Sequence, residues 1–307
     1  MNATTLLERP AQALAGRPQP PVPAAAAPAL ALASPEAEPA LPAVSPSAWH
    51  WAALLPRLGD WLLSWPFPLT VLLLWQLGAQ FEWIQPQILP APAVVARTFA
   101  DLFATGELQD HLRISLVRVL CGFGLGTGLG LLLGVAMGLS TAVKEYLYPT
   151  FRLFAQVPSL GWLPLLMMVV GIDEALKIIL ISKAAFVPVA LNTYNGLRSV
   201  PTSLIEVSRV FRFSRWQLLR RVVFPAAFPP IWNGIRYGLT HAWLALVAVE
   251  LLASSEGLGF LIVYGRQLFQ LDVVLAAVVV VGGVGFALDK VLALVEGRLL
   301  RWRRTSF

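Results

Sequence analysis

The chain has 307 residues, of which 57% are hydrophobic and only 13% charged, against roughly 25% charged in a soluble domain, and its mean hydropathy is +0.69. These values exclude water as the solvent for most of the chain, and the formal charge of +6 does not point to nucleic acid, because the basic residues cluster between apolar segments. The single cysteine, Cys121, excludes an intramolecular disulfide and a metal cluster built on thiolates.

Residues 1–47 are rich in alanine and proline, as in Pro18-Gln19-Pro20-Pro21-Val22-Pro23, and hold no long apolar run. They are expected to form a disordered cytoplasmic tail without a cleaved secretory signal, since no apolar stretch follows a basic start. Residues 48–66 place Trp49, Trp51, Trp61 and Trp65 around Arg57 and Asp60, a composition suited to a segment lying at a membrane interface.

A transmembrane domain is predicted over 67–297, followed by a basic cytoplasmic tail at 298–307. The fold class is all-α, a polytopic membrane protein with about six transmembrane helices near 67–84, 115–139, 152–172, 176–197, 233–254 and 273–296. The second span carries Gly122, Gly126, Gly130, Gly134 and Gly138 at every fourth position. That spacing aligns them on one face, where another backbone can approach closely, and packing within the subunit is favoured over a dimer seam. The third span contains Pro158 and Pro164, and the fourth Lys183, Pro188 and Asn192, so both are expected to face other helices or a pore rather than lipid.

Orientation follows from the arginines. Arg198, Arg209, Arg212, Arg215, Arg220 and Arg221 lie after the fourth span and Arg298, Arg301, Arg303 and Arg304 at the end, which places both regions and both termini in the cytoplasm. The segment 85–114, with Asp101, Glu107 and Asp110, and the Asp173-Glu174 turn then fall outside. Lys183 and Glu250 are the charges read as deepest in the spans. Three roles are open to them: pairing with each other, lining a path, or reaching an edge of the bilayer. Asn192 and Gln156 are lesser candidates for a path and equally for hydrogen bonds between helices.

The loop at about 201–225 is the most informative stretch. Ser203 with Glu206, and Ser214 with Gln217, each match a capping box before apolar residues, predicting two short helices joined near Arg212. An ordered, arginine-studded helical hairpin reads as a docking surface for another protein. No G-x-x-x-x-G-K-[ST] sequence occurs, so the chain is not expected to bind nucleotide phosphates or to be an enzyme. His50, His111 and His241 match no ligand spacing, and no internal repeat speaks for a secondary transporter.

This loop resembles the cytoplasmic loop of permease subunits of binding-protein-dependent ATP-binding-cassette importers. Glu206 stands at the family's glutamate, Val207 and Ser208 at its two alanines, Val222 at the apolar position, Phe224 at the leucine and Pro225 at the proline; Arg212 replaces the usual glycine. The resemblance runs from about residue 67 to the end. Leu89-Pro90-Ala91-Pro92, Arg118-Val119, Ala242-Trp243, Glu250 and Gly257-Leu258-Gly259 look like the branch that imports sulfonates, taurine, nitrate and bicarbonate. It implies a multi-pass protein of the bacterial inner membrane that works with a second copy of itself, two cytoplasmic ATPase subunits and an extracytoplasmic solute-binding protein. ATP and Mg would sit on the ATPase, and no cofactor on this chain. Glu206 would serve as a capping partner, as a polar contact to the ATPase, or as both. The implied substrate is a small anion, an aliphatic sulfonate or taurine first, with nitrate, bicarbonate or an aromatic acid as alternatives, and Lys183 suits any of them.

Overall fold

The computed structural model describes residues 66–300, apart from 82, 84, 86 and 87. The expected tail, most of the interfacial segment and residues 301–307 lie outside the described residues. Helices α1 (Pro66–Gln80) and α2 (Pro92–Ala104) are followed by the long α3 (Glu107–Leu139) and by α4 (Thr141–Gln156). A 3-10 turn at Ser159–Trp162 leads into α5 (Leu163–Val170), and α6 (Glu174–Arg198) follows. The loop hairpin comprises α7 (Thr202–Val210) and α8 (Arg215–Leu218); the latter runs through a π-helical turn, Leu219–Val223, into α9 (Phe224–Ala253). Helices α10 (Leu258–Gln267) and α11 (Leu271–Leu299) complete the chain, and no strand occurs among the described residues.

The centre of the bundle is α6, packed between α3 and α9. The five glycines of α3 face it: a Cβ at Gly130 would lie 2.9 Å from the Phe186 carbonyl oxygen, and one at Gly134 would lie 2.6 Å from Thr193 Cβ. Each glycine weakens a helix by roughly 0.5–1 kcal/mol relative to alanine. In lipid that loss is offset by dispersion contacts between backbones brought close together. The stripe is thus a seam within one subunit, as expected. On the other side of α6, Gly234 and Gly238 of α9 meet Asn192 and Val189 in the same way.

Among the described residues, three helical stretches are long and apolar enough to cross a membrane: Glu107–Leu139, Arg215–Gln267 taken as one run, and Leu271–Leu299. A fourth arises if Thr141–Gln156 and Ser159–Val170 count together, although they meet at 90°. The span expected at 152–172 is therefore not one straight helix. Pro158 has no N–H to continue α4 and Pro164 sits in the first turn of α5, so the chain turns a corner between them. The span expected at 67–84 coincides with α1, which has 15 residues. The one expected at 176–197 coincides with α6, whose Leu176, Leu180, Ile181, Ala185, Val189 and Ala190 are buried. By contrast α11 buries only Val273, Ala276 and Ala277, the pattern of a helix whose surroundings are lipid or another subunit.

Candidate functional site

The hairpin at 202–223 is built from backbone outward. Pro201 starts α7 without a side-chain cap, which puts Ser203 inside the first turn. The expected Ser203–Glu206 capping box is therefore not formed, because the helix begins at Thr202, two residues too early for Ser203 to stand in front of it. The Ser214–Gln217 box is formed in both directions. Helix α7 ends with Arg212 at φ 52. Its N–H donates to the Arg209 carbonyl at 2.9 Å and that of Phe213 to the Ser208 carbonyl at 3.0 Å, the paired bonds of a Schellman turn. Arg212 thus adopts a left-handed conformation that glycine takes without strain, at a cost of roughly 1–2 kcal/mol.

Ser208 is buried and donates its hydroxyl to the Ile205 carbonyl at 2.6 Å. Val222, Phe224 and Pro225 are half-buried. Val223 and Phe224 pack with Leu197 and Val200 at the end of α6 and with Leu131 and Val135 of α3. This anchors the hairpin to the bundle. The opposite face is open: Leu204, Val207, Val210, Phe211 and Trp216 are all exposed, Val210 to 80% and Phe211 to 70%, beside exposed Glu206, Arg209, Arg212 and Arg215. A monomer in water rarely leaves so contiguous an apolar surface bare, and one rimmed by charges marks an interaction site.

At the other end of the bundle, α3, α6, α9 and α10 meet in a buried ionic network. Glu250 does not pair with Lys183; it accepts from Arg118 Nη1 at 2.8 Å, from the Ser115 hydroxyl at 2.8 and 2.9 Å, and from the Gly259 N–H at 3.0 Å. The side chains of Arg118 and Glu250 are 3% and 0% exposed. Arg118 also forks onto Glu174 at 2.6 and 2.8 Å and reaches the Glu256 carbonyl at 2.7 Å, while Lys177 meets Glu174 at 2.6 Å. The free amides at the start of α10 are satisfied from neighbouring helices: Gly257 donates to His111 Nδ1 at 3.0 Å and Leu258 to Ser115 Oγ at 2.9 Å. Gly257 is itself held at φ +106, and a Cβ there would fall on the Glu250 carboxylate. A cavity of about 730 Å³ opens beside the network, lined among others by Glu107, Asp110, Arg113, Arg118 and Glu174.

Arg118, Ser115 and Glu174 were not singled out by the sequence as site residues. The available signal was an acid, Glu250, that needs a base within the membrane, and an arginine on the glycine-bearing face of α3. Lys183 instead donates to the Val157 carbonyl and lies 5.0 Å from the Phe154 ring and 5.7 Å from that of Trp162. Asn192 donates to the Pro188 carbonyl at 2.8 Å, a bond within its own helix. Gln156 is exposed at the end of α4.

A family model described as the binding-protein-dependent transport system inner membrane component matches residues 126–301. The chain is 38% identical over 245 residues to the putative aliphatic sulfonates transport permease protein SsuC of Bacillus subtilis (strain 168), which covers 80% of this chain and 89% of the relative. It is 37% identical over 245 residues to the putative aliphatic sulfonates transport permease protein SsuC of Escherichia coli (strain K12), covering 79% and 93%. To the taurine transport system permease protein TauC of the same strain it is 35% identical over 257 residues, covering 78% and 94%.

Proposed function

Since this chain belongs to the family of inner membrane components of binding-protein-dependent transport systems, the permeases of ATP-binding-cassette importers, we propose that it forms the translocation path for an aliphatic sulfonate or taurine. The relatives named for aliphatic sulfonates and taurine support that substrate class. In this reading a second copy completes the path, two cytoplasmic ATPase subunits bind ATP and Mg and supply the energy, and an extracytoplasmic solute-binding protein delivers the anion.

The observation that carries the reading is the open face of the hairpin. Leu204, Val207, Val210 and Phe211 project at α7 beside Glu206 and Arg209, while Ser208 is buried and Val223 and Phe224 pack into the bundle. A short helix with one face on a partner and the other on the ends of α3 and α6 transmits a displacement of the partner to the spans as a rigid body. Arg212 reinforces this by holding the corner between α7 and α8. Val210→Asp and Glu206→Lys are expected to reduce co-purification of the ATPase about tenfold or more, with the amount of membrane-inserted permease unchanged. A complex that assembles normally and supports wild-type uptake would remove the docking assignment. For the substrate, a strain lacking this gene and any redundant importer is expected to lose growth on alkanesulfonates as sole sulfur source, because a permanently charged sulfonate crosses lipid poorly. Undiminished growth would redirect the assignment to nitrate, bicarbonate or an aromatic acid.

A further inference from the structure

The helices that border the bundle differ in what they turn outward. On α3 the exposed face carries Val117, Leu120, Leu125, Leu129 and Leu132, side chains that lipid tails can cover. On α9 the exposed positions from 233 to 244 are Asn233, Tyr237, Thr240, His241 and Leu244, spaced so that they line up on one helical face. All but Leu244 are polar. Helix α9 has 30 residues and rises roughly 45 Å, so a hydrocarbon core of roughly 30 Å placed anywhere along it covers its central third. Tyr237, Thr240 and His241 lie in that third.

Arg236 stands at the edge of this face, toward α11. It meets Asp289 at 2.8 Å and Glu296 at 2.9 Å, and the three side chains are 33%, 52% and 32% exposed. The bonds of the stripe itself stay within α9: Thr240 donates its hydroxyl to the Arg236 carbonyl at 3.2 Å, and His241 Nδ1 donates to the Tyr237 carbonyl at 2.8 Å. Among the described residues the Asn233 amide, the Tyr237 hydroxyl and His241 Nε2 meet no partner. Polar and charged groups left open at this depth face water or protein rather than lipid. Protein fits less well. Close seams between helices in lipid are built from small residues, as between α3 and α6, whereas this face carries the rings of Tyr237 and His241 beside a half-open ion triad.

We propose that Asn233, Tyr237, Thr240 and His241 form the wet wall of the translocation path, with the second copy presenting the same stripe across it. The proposal rests on the transport reading above and deepens it, because it places the path on α9 rather than on Lys183, Asn192 and Gln156. No carboxylate stands on the stripe, and Arg236 holds both of those at its edge. An anion moving along it therefore meets the Asn233 amide and the Tyr237 hydroxyl, donors that replace part of its hydration water.

The test uses the assembled transporter, with its ATPase and binding protein, in proteoliposomes. Cys121 is replaced by serine, and single cysteines are introduced as Tyr237→Cys, Thr240→Cys and, on the apolar face of α3, Leu132→Cys. The probe is 2-sulfonatoethyl methanethiosulfonate, an anion that attacks thiolates and so reaches only thiols in water. The two stripe cysteines are expected to react about tenfold faster than Leu132→Cys or more, and excess ethanesulfonate to slow them about threefold. Thr240→Cys, close to threonine in size, carries the test should Tyr237→Cys fail to assemble. Tyr237→Phe keeps the ring and removes the hydroxyl, and is expected to raise KM for ethanesulfonate about threefold with the amount of complex unchanged. Stripe cysteines that react no faster than Leu132→Cys overturn the assignment. So does a spontaneous disulfide between two copies of Tyr237→Cys while the probe leaves Thr240→Cys unmodified, since the face is then a dry seam. Fast labelling that ethanesulfonate does not slow, in a transporter that takes ethanesulfonate up, overturns it too: the face is then wet but off the path. If wild type takes up no sulfonate, the substrate reading fails alone, and the labelling rates still decide the stripe.

Discussion

At the scale of single residues, the deepest commitment in the molecule is the Arg118–Glu250 pair. Each charge loses its hydration on burial, and the attraction between them makes that tolerable only because Ser115, Gly259 and the Glu256 carbonyl complete the coordination. Removing one partner leaves the other charged and buried. Glu250→Ala is expected to destabilise the protein by about 3–5 kcal/mol. Glu174→Ala removes a carboxylate that is itself 53% exposed and leaves Arg118 its bond to Glu250, but it strands the buried Lys177, so it should cost about 1–3 kcal/mol, less than Glu250→Ala. Thermal unfolding of the two variants in detergent separates the cases, and equal losses would show that the outer half of the network bears as much as the inner. The sequence made Glu250 legible as a charge in need of a partner, but not which partner. Lys183 and Arg118 both lie within apolar segments on helices that touch α9, and only their level along the bundle decides between them: Arg118 lies at the end of the bundle where Glu250 sits, whereas Lys183 lies lower and is drawn to the corner at Val157.

At the scale of elements, periodicity read well wherever one rule governed. The four-residue glycine repeat of α3 specified a face, and that face lies on α6. Two elements read less well, each because a local signal competed with another. Ser203 and Glu206 have the spacing of a capping box, yet Pro201 fixes its own φ at −56° and lets the helix begin at Thr202. The apolar run from 152 to 172 has the length of a span, but its prolines fall where one ends a helix and the other opens the next. The seam also gives a sharp contrast within one helix. A Cβ at Gly126 would fall on the Ser182 carbonyl and lie 2.9 Å from Ala185 Cβ, whereas one at Gly128 meets nothing within 4 Å. Gly126→Ala must push α3 off α6 and should cost at least about 1–3 kcal/mol, as overpacking does. Gly128→Ala should gain about 0.5–1 kcal/mol from helix propensity. Monodisperse yield and melting temperature report both, and a tolerated Gly126→Ala would mean that the seam is looser than its geometry.

At the scale of the whole molecule, the ionic network and the arginine hairpin occupy opposite ends of the same three helices. The network gathers Arg118 early in α3, Glu174 and Lys177 at the start of α6 and Glu250 near the end of α9, while the hairpin follows the end of α6 and leads into α9. Helix α6 alone, at 25 residues, rises roughly 37 Å, more than the roughly 30 Å hydrocarbon core of a bilayer. If the bundle crosses the membrane, the two ends cannot share a side. We propose from the arginine excess of the hairpin that it faces the cytoplasm, which would leave the network, its cavity and α2 outside. Thiol labelling tests this directly. Cys121 is exposed on α3, so it is first replaced by serine, and single cysteines are then introduced as Asp101→Cys on α2 and Arg209→Cys on α7, both exposed positions. A membrane-impermeant maleimide added to spheroplasts is expected to label the Asp101→Cys protein at once and the Arg209→Cys protein only after permeabilisation. Immediate labelling of both would place the hairpin outside and deny it any cytoplasmic ATPase. Protection of both would mean that the stretch from α2 to α7 crosses the bilayer one time more or fewer than its helices require, with the bent pair α4–α5 then a re-entrant loop rather than a crossing.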